Sequence, residues 1–108
     1  MEINEYQKEA MRSLNPSLKN NDVLLNGVMG LCGESGEVID MLKKHLSQGH
    51  ELNKDKMIEE LGDVAWYLAE TAFALGIDLD TVLKINLEKL KKRYPDGFTV
   101  KDSINRDE

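Results

Sequence analysis

A long stretch without proline limits what this chain can fold into. Pro16 and Pro95 are the only prolines, and apolar residues between them recur at intervals of three and four without any strand-like alternation. Proline interrupts the hydrogen-bond ladder of a helix, whereas spacings of three and four place side chains on one helical face. The sequence therefore predicts an all-α fold, a bundle of four or five helices.

Start and stop signals place the boundaries of four helices. The predicted helices run from about Ile3 to Leu14, from about Asp22 to Leu46, from Asn53 to about Leu75, and from Asp78 to Pro95. Asn4 followed by Gln7 resembles a capping box, and Asn53 and Asp78 are typical N-cap residues. Gly76 is a natural stop for the third helix.

Glycine recurs at every third position in the second predicted helix, at Gly27, Gly30, Gly33 and Gly36. Each interior glycine costs about 1 kcal/mol relative to alanine. We therefore expect another backbone or a ligand to approach closely, also beside Gly62 on the third helix. The alternative is that the helix begins later, near Gly30, and that the earlier glycines lie in a loop.

Length and composition predict one globular domain. The chain has 108 residues, of which 41% are hydrophobic and 31% are charged. We expect a single domain over residues 1–108, with a core at about residues 22–98 and a loosely packed polar tail at residues 99–108. The lone Cys32 cannot form an intramolecular disulfide and is expected to be a small buried residue.

Charge and targeting signals argue against two classes of partner. The formal net charge of −6 is unlike that of a nucleic-acid binder, which needs a basic surface. The longest uncharged run, residues 23–33, is too short to span a bilayer, and the sequence shows no signal peptide. We expect a cytoplasmic protein without a nucleic-acid or membrane partner.

Two pairs of carboxylates indicate chemistry. Glu34 and Glu37 lie on the second predicted helix, and Glu60 and Asp63 lie on the third. The members of each pair are three residues apart and therefore share one helix face. If the two helices pack antiparallel, the pairs meet in an oxygen-only pocket that suits one or two Mg²⁺ or Mn²⁺ ions.

The cation-free surroundings of both pairs support this interpretation. No lysine or arginine occurs between residues 20 and 42 or between residues 57 and 83. Carboxylates beside apolar residues need positive charge from elsewhere. The alternative is that they are solvated charges on amphipathic helices. A di-iron site is excluded, because neither His45 nor His50 follows a glutamate by three residues, and both are expected at the surface.

Positive charge is concentrated on the fourth predicted helix, at Lys84, Lys89, Lys91, Lys92 and Arg93. These cations form either a solvated helix face or a set from which a few reach phosphates held by the metal. Asn86 is a polar residue among apolar neighbours on the same helix and is expected to face the pocket.

Three segments together resemble the MazG-like family of all-α nucleoside triphosphate pyrophosphohydrolases. The segments are GESGEVIDMLKK, EELGDVAWYLAETAFALGIDL and NLEKLKKRYP, within a resemblance that covers roughly Leu24 to Phe98. The family pattern is an E-x-x-E pair followed by an E-x-x-D pair. The resemblance implies a homodimer or homotetramer that binds Mg²⁺, with Mn²⁺ as a substitute. It also implies hydrolysis of a (d)NTP between the α and β phosphates, as nucleotide-pool housekeeping.

The resemblance also assigns residues by position. The implied metal-binding and catalytic residues are Glu34, Glu37, Glu60 and Asp63. The implied substrate contacts are Tyr67, for the nucleotide, and Asn86, Lys89 and Arg93, for phosphate or sugar. Many members have EExxE where this chain has Gly33 before Glu34, so the general base would be one of the four carboxylates or Glu59, or the metal alone would activate the water.

Three alternatives to this function remain open at this point. Phosphoribosyl-ATP pyrophosphohydrolases share the fold. A helical module that binds nucleotide without turning it over, or a purely structural oligomeriser, would have the same helical pattern.

Overall fold

The computed structural model describes residues 1–106. It contains helices α1 (Ile3–Ala10), α2 (Asn20–Gln48), α3 (Lys54–Ala74), α4 (Leu79–Arg93) and α5 (Val100–Ile104), with a 3₁₀ turn (Met11–Ser13) directly after α1. No strand occurs in this part of the chain, which confirms the all-α class. None of the helices in this range is long and apolar enough to cross a membrane.

The boundaries of the central helices follow the sequence signals. The α2 helix spans Asn20–Gln48, so the alternative start near Gly30 is wrong. It ends at Gly49, whose φ of 71° lies in the left-handed region that glycine adopts readily. The Asn53 side chain accepts a hydrogen bond from the backbone N–H of Lys56 at 3.0 Å, which confirms it as the N-cap of α3.

Helix α1 is held by a buried glutamine and not by a capping box. The Gln7 side chain donates to the carbonyl oxygens of Ala69 and Ile77, both at 3.2 Å, and accepts from the backbone N–H of Leu79 at 2.9 Å. The Asn4 side chain accepts from a backbone N–H in the first turn of α4. The predicted capping box is therefore wrong, because both side chains pair with distant backbone groups.

The antiparallel pair of α2 and α3 forms the main helix interface, and two glycines permit its close approach. A Cβ on Gly27 would lie 3.1 Å from the backbone nitrogen of Thr71, and a Cβ on Gly30 would overlap the ring of Tyr67. The predicted close approach is confirmed at these two positions. The contacts offset the low helix propensity of glycine there.

The remaining helical glycines do not pack against another segment. A Cβ on Gly33, Gly36 or Gly62 would have no neighbouring atom from elsewhere in the described residues within 4 Å. The expectation of a close backbone approach beside the carboxylates is therefore wrong. The close contacts between the helices lie one and two turns before Glu34, at Gly30 and Gly27.

The buried apolar core is small for a chain of this length. The buried apolar residues among positions 1–106 are Val23, Ala69, Ala72, Ala74 and Leu79. Many large apolar residues that recur at helical spacing in the sequence are exposed instead, namely Val28, Leu42, Ile58, Leu61, Leu75, Ile85, Leu87 and Leu90. Cys32 is exposed as well, so its predicted burial is wrong. His45 and His50 are exposed, as expected.

The C-terminal tail contains a helical turn that the sequence analysis did not predict. The Thr99 side chain caps α5 by accepting from the backbone N–H of Asp102 at 3.0 Å. The rings of Tyr94 and Phe98 lie 5.5 Å apart before this turn. The tail is therefore organised at least as far as α5, whereas residues 107–108 lie outside the described part of the chain.

Replacing Gly27 with alanine is expected to lower the free energy of unfolding by about 1–2 kcal/mol, because the new methyl group meets the backbone of Thr71. The control Gly36→Ala should raise that free energy by up to about 1 kcal/mol, since the position is open and alanine is the better helix former. Urea denaturation followed by circular dichroism measures both changes. Equal changes in the two variants would contradict close packing at Gly27.

Candidate functional site

Three carboxylates from two helices meet beside the α2–α3 interface. One oxygen from each of Glu34, Glu60 and Asp63 lies within 4.8 Å of the others. Glu60 is buried, Glu34 is half-buried and Asp63 is exposed. The structure therefore brings together three of the four residues that the sequence analysis proposed as metal ligands.

The packing of the glycines explains why these carboxylates meet. Gly30 lies four residues before Glu34 on α2, and its contact Tyr67 lies four residues after Asp63 on α3. Because the helices run antiparallel, the Gly30–Tyr67 contact places the next turns of both helices opposite each other. Those turns carry the carboxylates.

Glu37 is not part of the three-carboxylate group, as judged over residues 1–106. It lies three residues beyond Glu34 on α2 and is exposed. Its negative charge is close enough to contribute to the raised pKa of Glu34. Its role as a metal ligand stays a prediction.

The clustered charges separate the protonation behaviour of two neighbouring glutamates. A hydrogen bond with Glu60 raises the pKa of Glu34, and burial and the surrounding negative charges raise it further. The same hydrogen bond lowers the pKa of Glu60, and Lys56 lowers it further. The pKa of Glu34 therefore lies above that of Glu60, so Glu34 is the more readily protonated of the two carboxyl groups.

The lysine beside Glu60 corrects one premise of the sequence analysis. The Nζ atom of Lys56 lies 3.2 Å from the Glu60 carboxylate. Lys56 precedes Glu60 by four residues and lies just outside the cation-free stretch of residues 57–83. The sequence signal was the i, i+4 spacing, which brings side chains together on one helix face.

A cavity of about 400 Å³ adjoins the carboxylates. It is lined by Ser13, Glu34, Asp63, Trp66 and Tyr67. The Trp66 and Tyr67 rings are nearly perpendicular, with their centroids 5.0 Å apart. The structure therefore places Tyr67, the predicted nucleotide contact, beside two of the predicted metal ligands. Sequence reasoning missed Ser13, because nothing local links it to the carboxylates.

A buried carboxylate on the same side of α3 was also missed. Glu70 is completely buried, and its two oxygens accept from the side-chain amide of Asn26 at 3.0 and 2.9 Å. Glu70 follows Asp63 by seven residues, a spacing that returns to the same helix face. That spacing was the available sequence signal.

The candidate substrate contacts on α4 lie elsewhere in the single chain. Lys89 and Arg93 line a cavity of about 800 Å³ together with residues that include Asp102 and Asn105, between α4 and α5. Asn86 is exposed on α4. In the described part of the chain, neither cation lines the cavity of Glu34 and Asp63. Their contact with substrate stays a prediction.

The Lys56 contact makes the pKa of Glu60 adjustable by mutation. In a carboxyl-carbon NMR titration, we expect Glu34 to titrate above the ordinary range of glutamate and Glu60 to titrate below it. Lys56→Gln should raise the pKa of Glu60, because the charge that favours its ionised form is removed. The control Lys54→Gln should not change it. An unchanged Glu60 pKa in Lys56→Gln would show that the ion pair is absent in solution.

Comparison with known proteins identifies a family whose matched region contains the residues of this site. The sequence model of the MazG nucleotide pyrophosphohydrolase domain matches residues 24–98, which include both carboxylate pairs and Tyr67. The "Gene 37 protein" of Mycobacterium phage L5 is 40% identical over 82 residues, which cover 72% of each chain. No solved structure matches the chain. Because the domain match spans more than half of the sequence, the chain belongs to the MazG nucleotide pyrophosphohydrolase family.

Proposed function

We propose that this protein is a Mg²⁺-dependent nucleoside triphosphate pyrophosphohydrolase. It cleaves a (d)NTP between the α and β phosphates and releases a monophosphate and pyrophosphate, with a role in nucleotide-pool housekeeping. The observation that carries the proposal is the group formed by Glu34, Glu60 and Asp63 beside the cavity of Tyr67, in a chain of the MazG family. This arrangement combines a place for phosphate-bound metal with a place for a nucleoside.

The donor set fits a hard divalent cation. Mg²⁺ and Mn²⁺ prefer carboxylate oxygens, and three such oxygens lie within 4.8 Å of one another. A hydrogen bond with Glu60, burial and the surrounding negative charges raise the pKa of Glu34, as expected for carboxyl groups held close together. Glu37 lies one turn beyond Glu34 and would complete the set of four ligands in the proposed site.

The chain's own groups prepare the site for the substrate. Bound Mg²⁺ would supply the positive charge that neutralises the triphosphate during hydrolysis. The hydrogen bond with Glu34 and the charge of Lys56 lower the pKa of Glu60 and so favour the ionised form that a metal ligand needs. Tyr67 contacts the nucleotide from the adjoining cavity. A carboxylate of the site, or Glu59, accepts the proton of the attacking water.

Removing one carboxylate tests the proposal. Asp63→Asn is expected to reduce pyrophosphate release from (d)NTPs by at least about 100-fold while the helical circular dichroism is retained, since the ligand charge is lost without loss of volume. Glu51→Gln, which changes an exposed carboxylate outside the group, is the control. Release is measured over a panel of (d)NTPs with Mg²⁺, with Mn²⁺ and with EDTA.

The same assay separates the alternatives. Full activity of Asp63→Asn, or undiminished release in EDTA, would exclude the carboxylate site. Hydrolysis of phosphoribosyl-ATP without hydrolysis of any (d)NTP would favour that narrower activity. Metal-dependent nucleotide binding without turnover would favour a binding module.

We further propose that the protein assembles as a homodimer or homotetramer. The outer faces of α2 and α3 carry large exposed apolar residues, including Leu25, Ile39, Leu46, Ile58 and Leu61. Ile39 is 61% exposed and Leu61 is 52% exposed, although both lie in long central helices. Large apolar side chains that are exposed in such number typically become buried against another chain. We propose a second copy of the same chain as the partner that covers these residues, because it is always available for assembly.

Sedimentation equilibrium at micromolar concentration should give the mass of a dimer or tetramer. Ile39→Lys is expected to weaken association by at least about tenfold, because assembly would bury an unpaired charge. The control Gln48→Lys adds the same charge at an exposed polar position of α2. A monomer mass for the unmodified protein would contradict the proposed assembly.

A further inference from the structure

The segment before the family match supplies part of the candidate site. The match begins at residue 24, yet Ser13 lines the cavity together with Glu34, Asp63 and Tyr67. Tyr6 on α1 is also close enough to interact with the site. Burial raises the pKa of its hydroxyl, and the negative charge of Asp63 raises that pKa further. The N-terminal segment therefore reaches the same part of α3 that carries the carboxylates.

An indole fixes the position of Ser13. The Nε1 atom of Trp66 donates to the carbonyl oxygen of Ala10 and to the hydroxyl of Ser13, both at 3.0 Å. These two hydrogen bonds join the 3₁₀ turn to α3 at Trp66, which lies between Asp63 and Tyr67 in the sequence. Ser13 is thus held at a defined place in the cavity wall although it is exposed.

The hydroxyl of Ser13 retains hydrogen-bonding capacity. It donates to the carbonyl oxygen of Ala10 at 2.7 Å and accepts from Trp66, which leaves one lone pair. The Ala10 carbonyl also accepts from Trp66, so it keeps a donor if the Ser13 proton turns elsewhere. Ser13 can therefore accept a hydrogen bond from a ligand, or donate one after rotation, without leaving a backbone oxygen unpaired.

The two sides of the cavity differ in chemistry. Carboxylates form one side, where metal-bound phosphates would lie under the proposed function. The other side presents aromatic rings and an uncharged hydroxyl, which suit stacking and neutral hydrogen bonds rather than a phosphate. A nucleoside is the part of the substrate with both properties.

We propose that Ser13 determines nucleotide preference by hydrogen-bonding a polar group of the nucleoside, either a sugar hydroxyl or an amino group of the base. This inference rests on the proposed pyrophosphohydrolase function and adds the part of the chain that selects among its substrates. Trp66 is the positioning residue that holds Ser13 in place. The selecting element thus comes from outside the matched domain.

Ser13→Ala tests the inference with little structural disturbance, because Trp66 remains bonded to the Ala10 carbonyl. We expect kcat/KM for the preferred nucleotide to fall about 3- to 10-fold, mainly through a higher KM, with the metal requirement unchanged. Preference among nucleotides should shrink accordingly. Ser13→Thr, which keeps the hydroxyl, should restore it. Ser17→Ala, an exposed serine in the following connection, should behave like the unmodified protein.

Matched substrates identify the recognised group. Ribonucleotides and deoxyribonucleotides with the same base test the sugar, and nucleotides that differ in the base alone test the amino group. Loss of discrimination in either comparison supports the inference. A uniform loss over all nucleotides, or unchanged kinetics in folded Ser13→Ala, overturns it.

A binding measurement separates this inference from the proposed function. If the unmodified protein shows no hydrolysis, the proposed function fails. Calorimetry with α,β-imido nucleotides then tests Ser13 directly. Selective weakening of one nucleotide in Ser13→Ala would still support nucleoside recognition, whereas equal binding by both proteins would overturn it.

Discussion

The close packing of α2 on α3 is the constraint on which the site depends. Gly27 and Gly30 let the two helices approach until backbone and ring atoms of α3 fill the space that side chains would occupy. This approach brings a carboxylate on one helix within 4.8 Å of two on the other, although their charges repel. Packing energy along the interface therefore holds together a group that electrostatics alone would separate.

Two interactions within the site reduce the repulsion between the carboxylates. Glu34 and Glu60 share a hydrogen bond, and Lys56 balances the negative charge of Glu60. Under the proposed function, a divalent cation would add the positive charge that the three carboxylates lack, and a lysine on a flexible stem can turn away to admit it. Helices that are already positioned lose little entropy when such a ligand binds.

The helical periodicity and the local capping signals predicted much of the fold. Asn53 worked as a signal because its hydrogen bond reaches only three residues along the chain. The capping box predicted for Asn4 and Gln7 was wrong for the opposite reason, since the hydrogen-bond partners of both side chains lie in distant segments that no local pattern encodes. The carboxylate pairs were found from i, i+3 spacing, whereas Ser13 enters the site through the distant Trp66. Periodicity shows that a helix face is apolar but not what covers it, so Ile58 and Leu61 recur at helical spacing and are nevertheless exposed.

The hydrogen bonds between Asn26 and the buried Glu70 restrict how α2 can slide along α3. The contacts of Gly27 and Gly30 set where the two helices approach, and the hydrogen bonds to Glu70 add a polar constraint on their alignment. A slip of one helical turn, about 5.4 Å, would carry the amide away from a fully buried carboxylate and leave that charge unsatisfied. The hydrogen bonds between Asn26 and Glu70 thus fix the register of the two helices. They disfavour the alignment in which Glu34 would lie a full turn away from Glu60 and Asp63.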